Sequence, residues 1–297
     1  MRKRILTATL AVSWIFCAAA SAQTNPSTNV KAATTAEPSP APPKEKATFY
    51  DSEDFSRTCR AVNLMTAETL RRNALLFLLD HRNMDTFLED PLENWFGFEG
   101  SGLKYGIGIR YGIIEGLEAG FYRLSRTVER FDVYEFDVKY QPLNQKDHVV
   151  DLAVRAGGTW FVQYDMDDAF GYFGQFLIDH IFWDRLVLGT GLLFHSDSSN
   201  DVKSTEDTEW SLAVQGLAEV RIVSFMAWDI EVAESVAGYG AEWPSFSTAL
   251  KFFTHRHTFS VVFSNSPYTS ADGVVSNSGR GFDDLVLGFQ LTREFNF

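Results

Sequence analysis

The chain has 297 residues, 45% of them hydrophobic and 26 of them Phe, and a formal charge of 26 − 39 = −13. That acidic balance presents no basic face able to release counterions from phosphate, which argues against nucleic acid as a partner. Two cysteines, Cys17 and Cys59, are too few for a disulfide framework or a zinc site, and beyond the N-terminus no apolar run reaches the ~18 residues of a membrane helix.

Residues 1–22 have the pattern of a cleaved export signal. Arg2, Lys3 and Arg4 precede an apolar core from Ile5 to Ala20, and Ala20-Ser21-Ala22 forms a small-x-small cleavage site before Gln23. Phe16 before Cys17 argues against a lipoprotein site. Residues 23–47 are rich in Pro, Ala, Thr and Ser, a composition that buries little and predicts a disordered tether. Residues 48–72 form a lead-in, in which Thr66 to Arg72 suits a short helix or a strand.

From residue 73 the hydrophobic pattern has period two. In Leu103-Lys-Tyr-Gly-Ile-Gly-Ile-Arg-Tyr111 the large apolar residues fall on one face and Lys104, Gly106, Gly108 and Arg110 on the other. Twelve such runs begin near residues 73, 103, 117, 131, 149, 170, 185, 209, 226, 246, 258 and 282. Most are longer than the five or six residues of a soluble strand and match the ~9–11 tilted residues that cross a bilayer. Short connections (113–116, 142–148, 179–184, 223–225, 255–257) alternate with mostly longer ones, the arrangement of an outer-membrane barrel. The predicted fold is therefore all-β: a closed antiparallel transmembrane barrel over 73–297 with short periplasmic turns, longer extracellular loops and both termini periplasmic.

The polar face separates a barrel from a soluble sandwich. It carries Lys104, Arg110, Lys139, Arg155, Arg185, Arg221 and Lys251 against Asp80, Glu118, Glu135, Asp137, Asp151, Glu219, Asp229 and Glu231. A confined lumen needs such matched signs, because an unpaired charge away from bulk water is costly. All of these except Lys251 and Asp80 are the candidate lumen-lining residues. Glycines on the same face leave room inside a narrow barrel. Tyr111, Tyr140, Trp183 and Trp228 near the short turns, and Trp160, Tyr172, Trp210 and Trp243 near the long loops, suit interfacial girdles.

The closing Phe289-Gln-Leu-Thr-Arg-Glu-Phe295-Asn-Phe297 resembles the C-terminal strand of outer-membrane barrels, which implies recognition of Phe295 and Phe297 by the barrel-assembly machinery. Residues of roughly 56–297 resemble an uncharacterised barrel family, domain of unknown function 5777. The matching stretches are Leu76-Phe-Leu-Leu-Asp-His81-Arg82, Gly108-Ile-Arg-Tyr-Gly-Ile113 with Gly116-Leu-Glu, and His257-Thr-Phe-Ser-Val-Val-Phe-Ser-Asn-Ser266. The resemblance implies a signal peptide and an outer-membrane barrel, and it brings no activity, cofactor or catalytic residue.

Other candidate chemistry reads more simply. His81 and Arg82 close the first strand, where Arg82 meets lipid or a loop carboxylate. His255 and His257 flank a tight turn without a third metal ligand nearby. His195-Ser196-Asp197 holds the residue types of a hydrolase triad, yet adjacent residues cannot form its relay. Asp165, Asp167 and Asp168, and Asp197, Asp201, Glu206, Asp207 and Glu209, make acidic loops that suit solvation or divalent-cation bridges to lipopolysaccharide. No enzyme activity, metal or cofactor is expected. The leading expectation is a narrow porin-like channel for small polar solutes or ions, with residues 48–72 or the 83–102 loop as candidate plugs. The alternatives are a non-conducting docking barrel that holds a periplasmic or surface partner and, third, an outer-membrane lipid hydrolase.

Overall fold

The computed structural model describes residues 59–86, 103–126, 131–164, 166–199, 203, 206, 208–254 and 256–297. The signal peptide, the Pro-rich tether and the start of the lead-in lie outside the described residues, as do His255, Asp165, Asp201 and Asp207.

Twelve antiparallel strands close into a barrel. In chain order they are β1 (Ala74–Thr86), β2 (Leu103–Ile114), β3 (Leu117–Arg126), β4 (Phe131–Leu143), β5 (Asp151–Gln163), β6 (Ala169–Phe182), β7 (Leu186–His195), β8 (Ser211–Val223), β9 (Met226–Gly238), β10 (Ser245–Thr254), β11 (His257–Ser264) and β12 (Val286–Asn296). Each strand pairs with its sequence neighbours, and β1 closes the ring on β12 from Ala74↔Asn296 to Thr86↔Val286. Closure satisfies the backbone of every strand internally, the condition for existence in hydrocarbon. A five-residue helix, α1 (Ala271–Val275), folds inward from the β11–β12 loop and is buried along its whole length.

Burial follows the sequence alternation. In β4, Glu135, Asp137 and Lys139 are buried while Phe136, Val138 and Tyr140 are exposed, 48–52% of their surface facing outward. The outside is thus apolar and the inside charged, the reverse of a soluble domain. Inward glycines face bulky partners across the strand pairs. Arg110 lies opposite Gly120, Asp179 opposite Gly189 and Arg82 opposite Gly288. A Cβ on Gly120 would run into the Arg110 guanidinium, so the glycine is the seat for that side chain.

The structure departs from the sequence expectation at three places. Arg185 does not line the lumen. Trp183 and Asp184 adopt left-handed φ angles of 52° and 56°, and the Arg185 N–H closes the turn on the Phe182 carbonyl at 3.0 Å, leaving its side chain exposed. β1 continues past His81 to Thr86, so Arg82 is an inward residue, 1% exposed, rather than one meeting lipid. Residues 66–72 form neither helix nor strand but thread through the lumen.

Candidate functional site

The lumen is the chemically distinctive part of the molecule. Among the described side chains its strands point seven cations inward: Arg82, Lys104, Arg110, Lys139, Arg155, Arg221 and Lys251. Ten carboxylates oppose them: Asp80, Glu118, Glu135, Asp137, Asp151, Asp179, Glu219, Asp229, Glu231 and Glu294.

They gather in two networks. On β2–β5, Arg110 Nε meets Glu118 at 2.7 Å and its Nη2 meets Asp137 at 2.6 Å. Arg155 joins Asp137 at 2.9 Å and Glu135 at 3.5 Å, and Lys139 lies 3.1 Å from Glu118. On β8–β10, Glu219 bridges Arg221 at 3.0 Å and Lys251 at 2.9 Å, and Lys251 reaches Asp229 at 2.8 Å. These bidentate and bridged contacts are what lets such charges be buried at all. Other expected lining residues make different contacts, Glu231 with the finger amides described below. Lys104 sits over the Tyr268 ring, 4.3 Å from its centroid, and Asp151 accepts bonds from Gln141 and the Gln145 N–H at the short-turn end.

The centre of the barrel holds a finger of the chain's own N-terminal lead-in. Residues 59–72 reverse at Arg60–Met65, so that Cys59 and Leu70 come together against Ala74 and Leu76 at the short-turn end, where the chain joins β1. The reversal is closed by the Arg60↔Met65 bridge and by the Thr66 N–H donating to the Cys59 carbonyl at 3.1 Å. The finger has almost no ladder of its own, so its backbone groups need other partners. Wall side chains supply them. The N–H groups of Val62, Asn63 and Leu64 donate to the Glu231 carboxylate at 2.6, 2.8 and 3.2 Å. Those of Ala67 and Leu70 donate to Asp179 at 2.5 Å and to Glu118 at 2.7 Å. Lys139 Nζ donates to the carbonyls of Cys59, Thr66 and Glu68 at 3.0, 3.1 and 2.5 Å. Gln290 donates to the Val62 carbonyl at 2.8 Å.

Small inward residues make room for the finger's apolar side chains. Met65 and Ala67 pack with Ala153 and Leu177, Val62 with Ala249 and Val262, and Cys59 and Leu70 with Ala74 and Leu76. Burial pushes the Cys59 thiol up to about 12, further raised by Glu118. From the long-loop end the β11–β12 loop comes down to meet the finger. Arg60 donates to the Thr269 carbonyl at 2.7 Å, lies 3.6 Å from Asp80 and stacks over Tyr122. Two voids beside the finger, one lined by Glu231, Ser245 and Tyr268, hold only about 10 Å³ each, room for roughly one water.

The loop candidates are held structurally. His195 Nε2 pairs with Thr159 at 3.0 Å and its Nδ1 accepts the Asp197 N–H, while Ser196 Oγ accepts the Tyr172 N–H at 2.9 Å. Neither imidazole nitrogen is bonded to the serine. Burial raises the Asp197 carboxyl above its usual range against the opposing pull of Lys203, 3.6 Å away. Asp168 accepts from the Trp160 indole at 2.9 Å. Among the described residues no three His, Cys, Asp or Glu side chains come together as a metal site. Outside, Trp160, Tyr172 and Trp210 near the long loops and Tyr111, Tyr140, Trp183 and Trp228 near the short turns are all exposed.

Sequence reasoning missed Arg82, Asp179 and Glu294 on the wall and every contact of the finger. Period two carried through Phe182 places Asp179 inward, and the same count places Arg82 with Asp80.

A family model described as "Membrane bound beta barrel domain (DUF5777)" matches residues 55–295. No curated protein matches the sequence. Among solved structures, the COG4313 outer membrane channel from Pseudomonas putida F1 is similar at 13% identity with a TM-score of 0.51, covering 77% of this chain and 98% of that one. The NanC porin follows at 12% identity and 0.44, covering 75% and 100%. The outer membrane phospholipase A from Escherichia coli gives 10% and 0.43, covering 74% and 92%. At these identities the likeness speaks for the fold alone.

Proposed function

This chain belongs to the membrane-bound β-barrel domain family (DUF5777), and from that premise we propose a self-plugged, porin-like channel of the Gram-negative outer membrane. It passes small polar solutes or ions when the 59–72 finger withdraws and is shut while the finger is seated. The observation that carries this reading is the finger's attachment. Its two ends, at Cys59 and Leu70, pack together against the start of β1, and its backbone is held by wall side chains rather than by a strand ladder. A barrel that needed only a stable core would be served as well by apolar filling. A hydrogen-bonded insert over a charged wall can instead be exchanged for water, which satisfies the same groups. Withdrawal also removes Arg60 from the Thr269 carbonyl, one of the contacts of the inward loop.

In this reading the short-turn end and both termini face the periplasm, where the Pro-rich tether can hold a partner that pulls the finger. Phe295 and Phe297 present the assembly signal, the exposed loops meet lipopolysaccharide, and no catalysis is involved. The rival reading, a closed docking barrel, draws on the finger and loop filling the lumen from both ends.

A disulfide lock tests the two. Asn63 and Ser247 already touch, Nδ2 to Oγ at 2.7 Å. In a Cys59→Ser background, Asn63→Cys with Ser247→Cys is expected to be silent in planar bilayers when oxidised and to show discrete conductance steps when reduced. Silence in both states favours the docking barrel, and equal conductance in both removes the finger as the gate.

A further inference from the structure

We infer that the vacated lumen selects cations over anions and that Glu231 is the specificity-determining residue; this rests on the plugged-channel reading above.

The wall is unbalanced, with ten inward carboxylates and seven inward cations among the described side chains, or 7 − 10 = −3. The seated finger partly masks this. Its Arg60 places one further cation against Asp80, and its amides, not a cation, satisfy Glu231. Among the described residues no arginine or lysine forms an ion pair with Glu231, which is 2% exposed. Two residues earlier on the same inward face, Asp229 is 0% exposed, and its Oδ1 has no hydrogen-bond partner while Oδ2 takes Lys251. Glu231 also lines one of the small voids beside the finger tip, so the space the finger vacates is continuous with its carboxylate.

Withdrawal is asymmetric in charge. It takes away Arg60 and the three N–H donors that hold Glu231. On the positive side it strips carbonyls from Lys139, but Lys139 keeps Glu118 at 3.1 Å. The freed cation stays neutralised and the freed anion does not. A fixed carboxylate in a partly desolvated lumen attracts a cation strongly enough to bias which hydrated ion replaces the departing amides. Rings of carboxylates set cation preference in pores by this means.

The test uses the full mature chain carrying the Asn63–Ser247 lock, reduced, under a tenfold KCl gradient. The reversal potential is expected to move toward the potassium equilibrium value. Glu231→Gln should bring it toward zero while raising the fraction of time spent open, because a neutral amide holds the finger less well. Glu231→Asp, which keeps the charge, should retain most of the potassium preference. Heat-shifted gel mobility checks that each variant is folded. Conductance steps that reverse at zero or toward chloride overturn the inference and leave the channel standing. So does an unchanged reversal potential in folded Glu231→Gln. A reduced chain that never conducts fails the plugged-channel reading itself.

Discussion

The wall and the finger solve the same backbone problem in opposite ways. In the wall every strand exchanges hydrogen bonds with two neighbours, so each amide finds its partner a strand away whatever the side chains are. In the finger the amides of Val62, Asn63, Leu64, Ala67 and Leu70 end on carboxylates projected from β9, β6 and β3. The ladder belongs to the ring and closes without the finger. The finger's bonds belong to individual side chains and can be lost one at a time. Two stabilities are therefore expected in one chain, a cooperative one for the barrel and a smaller local one for finger seating.

The largest expected effect breaks the wall. Arg110→Leu removes the guanidinium that holds both Glu118 and Asp137 and leaves two buried carboxylates under-compensated. Breaking a buried ion network in this way costs about 3–5 kcal/mol. A lower urea midpoint of the detergent-solubilised barrel, read by gel mobility, is the measurement. An unchanged midpoint would mean that Arg110 contributes nothing net to the ring.

A smaller effect acts on the same network by volume. Gly120→Leu puts a side chain where Arg110 and Asp137 now sit, and over-packing of this kind costs about 1–3 kcal/mol. The same unfolding midpoint should fall, by less than in Arg110→Leu.

Lys139→Met sharpens the comparison from the other side. It deletes the donor to three finger carbonyls, where hydrogen bonds to a charged group are worth about 1.5–3 kcal/mol, and on the wall it leaves Glu118 with Arg110 as its remaining cation. Amide hydrogen exchange should accelerate most across 59–72, while the protection of β8–β10, on the far side of the ring from Lys139, stays put. Equal acceleration in wall and finger would erase the distinction between them.

This difference also explains what the sequence could reveal. Strand β2 is legible because Leu103 to Tyr111 alternates without interruption, and the wall's pairing is local, each strand beside the next in sequence. Arg185 was misread because a period-two count does not register the left-handed turn at Trp183-Asp184. Leu76 and Leu78 break the alternation of β1, since they face inward against the finger and Tyr122 rather than water. The finger itself was invisible as a docked element. Residues 59–72 carry no period, and the bond from Val62 to Glu231 joins positions 169 residues apart. Ion-pair identities were hidden for the same reason: the list of inward charges follows from alternation, but which of them touch depends on register and on which glycine opposes which side chain.

The smallest effect comes from Cys59, and its value is that it reads the finger alone. The thiol is fully buried between Leu70, Ala74 and Leu76, so it should resist maleimide at pH 7.5 in the intact barrel and react in Lys139→Met. Its pH dependence has a definite sign. The seated thiol ionises near 12 rather than at its ordinary value near 9, so the seated state favours the protonated form. That contribution is fully present below pH 9 and is lost as the pH rises from about 9 toward 12, because a withdrawn thiol ionises and a seated one does not. After division by the hydroxide-catalysed intrinsic rate, finger exchange should therefore show more opening above pH 9 in the native chain but not in Cys59→Ala, with wall protection equal in the two. Alkylation of native Cys59 at pH 7.5 as fast as that of a free thiol would mean that the finger spends much of its time outside the lumen.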